Sequence, residues 1–201
     1  ECGKEELLSH VGRAGLSLFH LLVWHNFYGP VEKMLTDGRV EGREVDLTDD
    51  KGHGLTPFLL ACGRGNLAMV RLLLEHGASD ALCDERGMNA YHFLAYPRFE
   101  NDLLAVNFSC LDKSVEQRGE IARLLTCDVN KRNNAGLAPL EQLLSTEYSS
   151  SYTWPLAEVF LEKGAVTDYV DQDGNTLLMM ARKKGHVTAA LKLIERCPEM
   201  V

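Results

Sequence analysis

Five times along the chain a glycine leads into a small or polar residue and then an apolar run, at Gly15, Gly54, Gly87, Gly136 and Gly174. The successive spacings are 39, 33, 49 and 38 residues. A period of about 20–50 residues restricts the fold more than any other feature, because one such unit cannot bury its apolar face alone and must stack on its neighbours. The second unit is the plainest. Thr56-Pro57 has the form of a helix start, with Thr capping free N–H groups and Pro tolerated in the first turn. Phe58 through Cys62 continue as a short apolar helix, and Gly63-Arg64-Gly65-Asn66 reads as a turn that uses the conformational freedom of glycine. Leu67, Val70, Leu73 and Leu74 then fall at i, i+3, i+6 and i+7, one face of a second helix. Gly77 ends that helix, and Asp84 through Gly87 turn into the next unit.

The run from Gly54 to Asp80 resembles the ankyrin repeat, a unit of about 33 residues with a β-turn and two antiparallel helices, whose signature includes T-P-L-H-x-A. The other units match in part. Unit one has Ser17-Leu18-Phe19-His20, with Asn26 where the family has a turn glycine. Unit three has Asn89-Ala90-Tyr91-His92, and His92 falls on the family's histidine. Unit four has Ala138-Pro139-Leu140, with Ala138 in place of the capping Thr. Unit five has Asn175-Thr176-Leu177-Leu178 and then Gly185-His186. The resemblance covers about residues 13 to 197 and implies an all-α solenoid of stacked helix-turn-helix units with short β-hairpin-like turns. It is read as one continuous domain over 15–201, with repeats starting near 15, 54, 87, 136 and 174. Residues 1–14 precede it as an N-terminal capping helix or partial repeat. At the other end, Lys183, Lys184, Lys192, Glu195 and Arg196 make the last repeat more polar, as a terminal cap whose outer face meets water would be.

Against 33 residues, the spacings leave net excesses of 6, 16 and 5. The first lies within about 37–51 and should enlarge a finger-like hairpin loop. The second lies within about 97–119, between the helices of repeat three, and the third within about 146–154, between those of repeat four. Repeat three also ends without the Gly-Ala step of Gly77-Ala78. The insertions carry Phe99, Leu103, Leu104, Val106, Phe108 and Leu111, and Tyr148, Tyr152 and Trp154. They are expected to be neighbours and to pack as a local subcore, with Ser149-Ser150-Ser151 as a mobile tip.

Motifs for catalysis or cofactors do not stand out. The chain has no phosphate-binding glycine loop, no nucleophile elbow and no H-E-x-x-H. His20, His92 and His186 match family positions where histidine is structural. Asp49, Asp171 and Asp173 fall in turns, where Asp holds the backbone. His76, Cys83 and Asp84 are conceivable metal ligands but are assigned no metal. The reading is therefore no enzyme, no cofactor and no metal. Six cysteines with no C-x-x-C pair read as free, mostly buried thiols in a reducing compartment. A net charge of −8 argues against nucleic acid and anionic membrane surfaces, and no apolar run approaches the roughly 20 residues of a membrane helix. A hydrophobic fraction of 45% excludes wholesale disorder. The expected place is intracellular, in the cytoplasm. Secretion stays open because the chain begins at Glu1 rather than Met.

What the resemblance implies for function is a protein-protein interaction module that binds a partner protein through its concave groove as a monomer. The partner's identity is not readable. The alternative is a substrate-recruiting domain of a larger enzyme or secreted effector. Carried over by position, the concave surface comprises Trp24 and His25 from repeat one and Lys51, His53, Leu55 and Arg64 from repeat two. Repeat three supplies Glu85, Arg86 and Met88, repeat four Asn134 and Leu137, and repeat five Asp173, Asn175, Lys183 and Lys184. Trp24, Leu55 and Met88 could form an apolar stripe beside Arg64 and Arg86. The competing reading packs Trp24 on Phe27, Tyr28 or the N-terminal helix.

Overall fold

A computed structural model describes residues 8–11, 15–95, 111–146, 150–171 and 173–196. Expectations that fall on 1–7, on Phe99 through Phe108, or on Tyr148 and Ser149 lie outside the described residues.

Ten α-helices among the described residues form five pairs. They are α1 (Leu18–Trp24) with α2 (Tyr28–Thr36), α3 (Pro57–Arg64) with α4 (Leu67–Glu75), α5 (Ala90–Ala95) with α6 (Leu111–Leu124), α7 (Pro139–Leu144) with α8 (Ser150–Glu162), and α9 (Leu177–Lys183) with α10 (Val187–Arg196). The first helices stack in chain order, α1 on α3 on α5 on α7 on α9, and α4, α6, α8 and α10 stack behind them. One continuous apolar core runs between the two layers. The chain is thus an all-α repeat solenoid, as the periodicity predicts.

The start and stop chemistry follows the sequence closely. Thr56 caps α3 by accepting from Leu59 N at 3.2 Å, and Pro57 sits in the first turn. Gly65 ends α3 at φ +68°, so the turn is shorter than expected, with Gly63 and Arg64 still helical. Asn66 caps α4. Asn26 takes the same left-handed role between α1 and α2 at φ +59°. Ala138 has no side chain with which to cap α7; Glu141 reaches back instead, and its Oε2 accepts Ala138 N at 2.9 Å.

Each finger between repeats is closed by one side chain. An Asp or Asn oxygen accepts the N–H groups two and four residues on: Asp84 from Arg86 and Met88, Asn133 from Ala135 and Leu137, and Asp171 from Asp173 and Asn175. Asp49 does the same with Lys51 and His53 and also takes Leu55 N. Burial pushes the Asp49 carboxyl up, but the bonds from Leu55 and His53 outweigh it and leave the group below its ordinary value. Neighbouring fingers are zipped by backbone bonds: Asp50 N donates to Gly15 O, Glu85 N to His53 O, and Asn134 N to Arg86 O, at 2.7–2.9 Å.

Among the described residues, one insertion forms a short turn and the other two lengthen helices. The first winds into a 3-10 turn, Gly42–Glu44, flanked by buried Val40 and Val45. The others extend the second helices: α6 has 14 residues and α8 has 13, against 9 in α4. Counted back from the cap glycine, Pro155 matches Ala68, the second residue of α4, so α8 is an ordinary helix with extra turns added before its proline. Ser150 and Ser151, expected in a mobile tip, begin this helix. Of the aromatics expected in the subcore, Tyr152 and Trp154 are buried, Tyr152 Oη donates to Leu94 O of α5 at 2.8 Å, and α8 packs along α6, while their expected partners Phe99 through Phe108 lie outside the described residues. The missing Gly-Ala step after α6 is filled by Asp80 of the preceding finger, which accepts the N–H groups of Thr126 and Cys127.

Three expectations change. Residues 10–11, read as the end of an N-terminal helix, form strand β1 (His10–Val11). It pairs antiparallel with β2 (Leu16–Ser17), His10 opposite Ser17, because the left-handed turn at Gly15 folds the chain back. The last repeat is not simply polar: its charged residues meet water, but so do Met179, Val187, Leu191 and Ile194. Of the cysteines described, all free, only Cys62 is buried; Cys83 and Cys127 are partly exposed.

Candidate protein-binding surface

The finger tips and the C-terminal ends of the first helices line one side of the stack. Buried histidines lock this side. The Ser17 N–H donates to His20 Nδ1, leaving Nε2–H to donate to Leu55 O of the next finger at 3.1 Å. His92 repeats the arrangement, taking Asn89 N at Nδ1 and donating from Nε2 to Leu137 O at 3.0 Å. His186 Nε2 bonds Thr146 O of the preceding repeat at 2.7 Å. All three histidines therefore serve the structural roles expected of them, each tying one repeat to its neighbour.

The predicted surface residues fall into groups. His25, Lys51, Arg64, Glu85, Asn134, Asp173, Lys183 and Lys184 are exposed; His53, Leu55, Arg86, Leu137 and Asn175 are half-buried. Trp24 and Met88 are only 5% exposed, which corrects the expected stripe of Trp24, Leu55 and Met88. Trp24 does not turn to Phe27 or Tyr28 either. It packs with Leu16 and Leu60 in a small second core, and the Arg64 guanidinium lies over its ring at 4.9 Å. The reason is positional: Trp24 stands where repeat two has Gly63, one step inside the exposed place held by Arg64 and His25. Arg64 is thus a cation held flat on an aromatic face.

Several side chains are already committed. Asn134 Nδ2 donates to Glu85 O, Arg86 Nε to Asp84, His53 Nδ1 lies 2.8 Å from Asp49, and Lys183 Nζ donates to Asn175. Asn175 in turn binds Asp171, whose carboxyl is held below its ordinary value, chiefly by that side chain.

The structure brings Arg86, Met88, Asn134 and Leu137 together around a recess of about 500 Å³ between repeats three and four. Asn133, Ala135, Gln142, Ser145 and Thr146 complete it and were not foreseen. Ser145 and Thr146 had a signal: by count they occupy the places of Gly63-Arg64 and Lys183-Lys184. Gln142 donates to His92 O and accepts from Asn133, so the recess presents little unsatisfied polarity. A second recess of about 550 Å³ joins Leu137 and Asp173 with Arg132 and Tyr169. Arg132 there forms a two-point bond with Glu141 at 2.9 and 3.1 Å and lies over the Tyr169 ring at 4.6 Å. Burial pushes the Glu141 carboxyl up, opposed by its bonds to Ala138 and Arg132. Among the described residues, no group of three His, Cys, Asp or Glu side chains could hold a metal ion, and no helix is long and apolar enough to cross a membrane.

Paired helices stacked through hairpin fingers define a repeat scaffold. The comparison with known proteins gives that class its family. A family model for ankyrin repeats (3 copies) matches residues 19–133, more than half of the chain, and the chain belongs to the ankyrin-repeat family. It is 27% identical over 154 residues to the phosphocholine transferase AnkX of Legionella pneumophila, covering 76% of this chain and 14% of that protein. It is 28% identical over 165 residues to the mouse B-cell lymphoma 3 protein homolog, covering 82% of this chain and 33% of the relative. With human ankyrin repeat domain-containing protein 13B it shares 39% identity over 67 residues, 33% of this chain and 10% of that one. The chain thus spans at most a third of the length of these relatives.

Proposed function

We propose that this chain is a non-enzymatic interaction module that holds a partner protein on the concave side of its ankyrin array. Ankyrin repeats are protein-interaction modules, and this supports the class of function. The observation that carries the reading is the recess at Arg86, Met88, Asn134 and Leu137. Four predicted surface residues converge there, over polar groups that already have partners inside the protein. Such a surface is preformed, so binding orders little. Arg64, fixed on Trp24, supplies a second anchor of a type common at interface hot spots.

The test is affinity capture with mass spectrometry, comparing wild type with Ala135→Arg and Arg64→Glu. Ala135 is exposed at the recess edge, so the new side chain fills the recess without disturbing the core. A specific protein held by wild type and lost by both variants, at unchanged melting temperature, supports the reading. Equal retention by both variants removes the concave side from consideration.

The second reading is a substrate-recruiting domain of a larger enzyme or effector. The similarity to a segment of a phosphocholine transferase favours it. The two readings share this surface and differ in what the captured protein experiences. A partner modified by the full-length polypeptide is a substrate, and one bound unchanged is not.

A further inference from the structure

The last helix pair exposes the side that every earlier pair buries. Met179 occupies the place held by His20, Leu59, His92 and Glu141. His20 and His92 show what that place faces, since both donate to the finger of the following repeat. Leu59 and Glu141 are 1% and 2% exposed, whereas Met179 is 51% exposed. On the second helix, Ala190 stands five residues beyond the turn, as Val31 and Val70 do; those two are fully buried and Ala190 is not. Ile194 matches Leu35, and its exposure is 37% against 5%. Leu191 is apolar and 57% exposed at a place where Glu32, Arg71 and Glu158 carry charge. Val187, Leu191 and Ile194 recur at i, i+4 and i+7, opposite the buried Ala189 and Leu193. α10 is therefore apolar on two sides.

We infer that this end face of α9 and α10 is a stacking interface, and that it receives a further helix pair of the same type, carried by the same polypeptide beyond residue 201. The face continues four interfaces already built this way, each between units consecutive in the chain. The nearby cations Lys183 and Arg196 are turned to Asn175 and to Glu158 of α8, so the face itself is apolar. The occupant is accordingly apolar where it meets Met179, Leu191 and Ile194.

The test uses the full-length polypeptide encoded by the gene. Met179→Cys and Ile194→Cys are labelled with a bulky maleimide and read peptide by peptide, with Arg71→Cys as the exposed reference. Labelling about tenfold slower than at the reference, and independent of protein concentration, is expected of a face opened only by local unfolding. Rates equal to the reference overturn the inference. Protection that grows with protein concentration also overturns it and assigns the face to a second copy. Hydrogen exchange on the unsubstituted protein guards against misfolded variants. Amides of α10 should be as protected as those of α4, and exchange as fast as in the finger turns would equally sink the idea.

Discussion

Arg118 carries its guanidinium inside the protein, 1% exposed, where it donates to Gly63 O at 2.6 Å and Cys62 O at 3.3 Å. These carbonyls belong to the end of α3, where a helix runs short of N–H donors for its last carbonyls and the dipole favours a cation. Replacing Arg118 with Met keeps much of the volume but strips buried carbonyls of a partner. The expected loss is about 3 kcal/mol in urea unfolding, with Arg118→Lys recovering only part of it because one ammonium cannot span the same acceptors. A loss below ~1 kcal/mol would mean that water replaces the guanidinium. No pattern in the sequence announces this residue, because Arg118 lies in the insertion, outside the register that let the other positions be counted. The histidines were legible for the opposite reason, since each sits at a fixed place in the repeat. His92 also yields a pH prediction. Burial holds its pKa below the ordinary value of about 6.5. The unfolded chain then binds a proton that the folded one resists, so this contribution is intact above about pH 6.5 and is lost as pH falls toward the folded value. Stability measured from pH 7 to pH 5 should decline by at most about 1.4 kcal/mol per pH unit from this group, and His92→Gln should flatten the slope. An unchanged slope in the variant would place the titration elsewhere.

Helices begin and end where local chemistry permits, and two glycines should respond to alanine with opposite sign. Gly65 ends α3 at φ +68°, and a Cβ there would lie 3.0 Å from Cγ and Nε of Arg118. Gly65→Ala combines left-handed strain with that close approach and should cost about 2 kcal/mol. Gly29 lies in the first turn of α2 with open space around it. Gly29→Ala should therefore stabilise by about 0.5 kcal/mol through a less flexible unfolded chain. Paired thermal melts decide both, and a loss at residue 29 or a gain at residue 65 would show that the cap geometry is misassigned. Helix starts at Thr56, Asn66 and Thr176 were legible because their capping chemistry is local. The extra turns of α6 and α8 were not, because an insertion count says how many residues were added and not what they form. Pro155 could have supplied the second helix of repeat four, since its distance from Gly164 matches that of Ala68 from Gly77.

A stack in which each unit touches only its neighbours should fail locally when one unit is damaged. Phe19 is fully buried in repeat one, at the far end from the lengthened helices α6 and α8. Those helices are joined from several directions: Tyr91 meets Phe160 edge-on at 5.4 Å and donates to Ala122 O, and Lys163 Nζ donates to Leu125 O. Phe19→Ala should cost about 3–5 kcal/mol within its own unit. Hydrogen exchange should then quicken across α1 and α2, less so in α3, and hardly at all in α6 and α8. Phe160→Ala should do the reverse, exposing α6 through α8 while leaving α1 with most of its protection. The two together should add, because the sites lie in the first and fourth helix pairs. The periodicity made the array and its nearest-neighbour order legible, yet it treated the five units as equals. The structure sets the middle apart, because the long helices and the Arg118 and Tyr152 bonds to α3 and α5 concentrate cross-repeat contacts there. If either variant instead loses protection evenly along the whole chain, the molecule unfolds as one cooperative block, and the polar bonds between repeats are strong enough to carry a local defect from end to end.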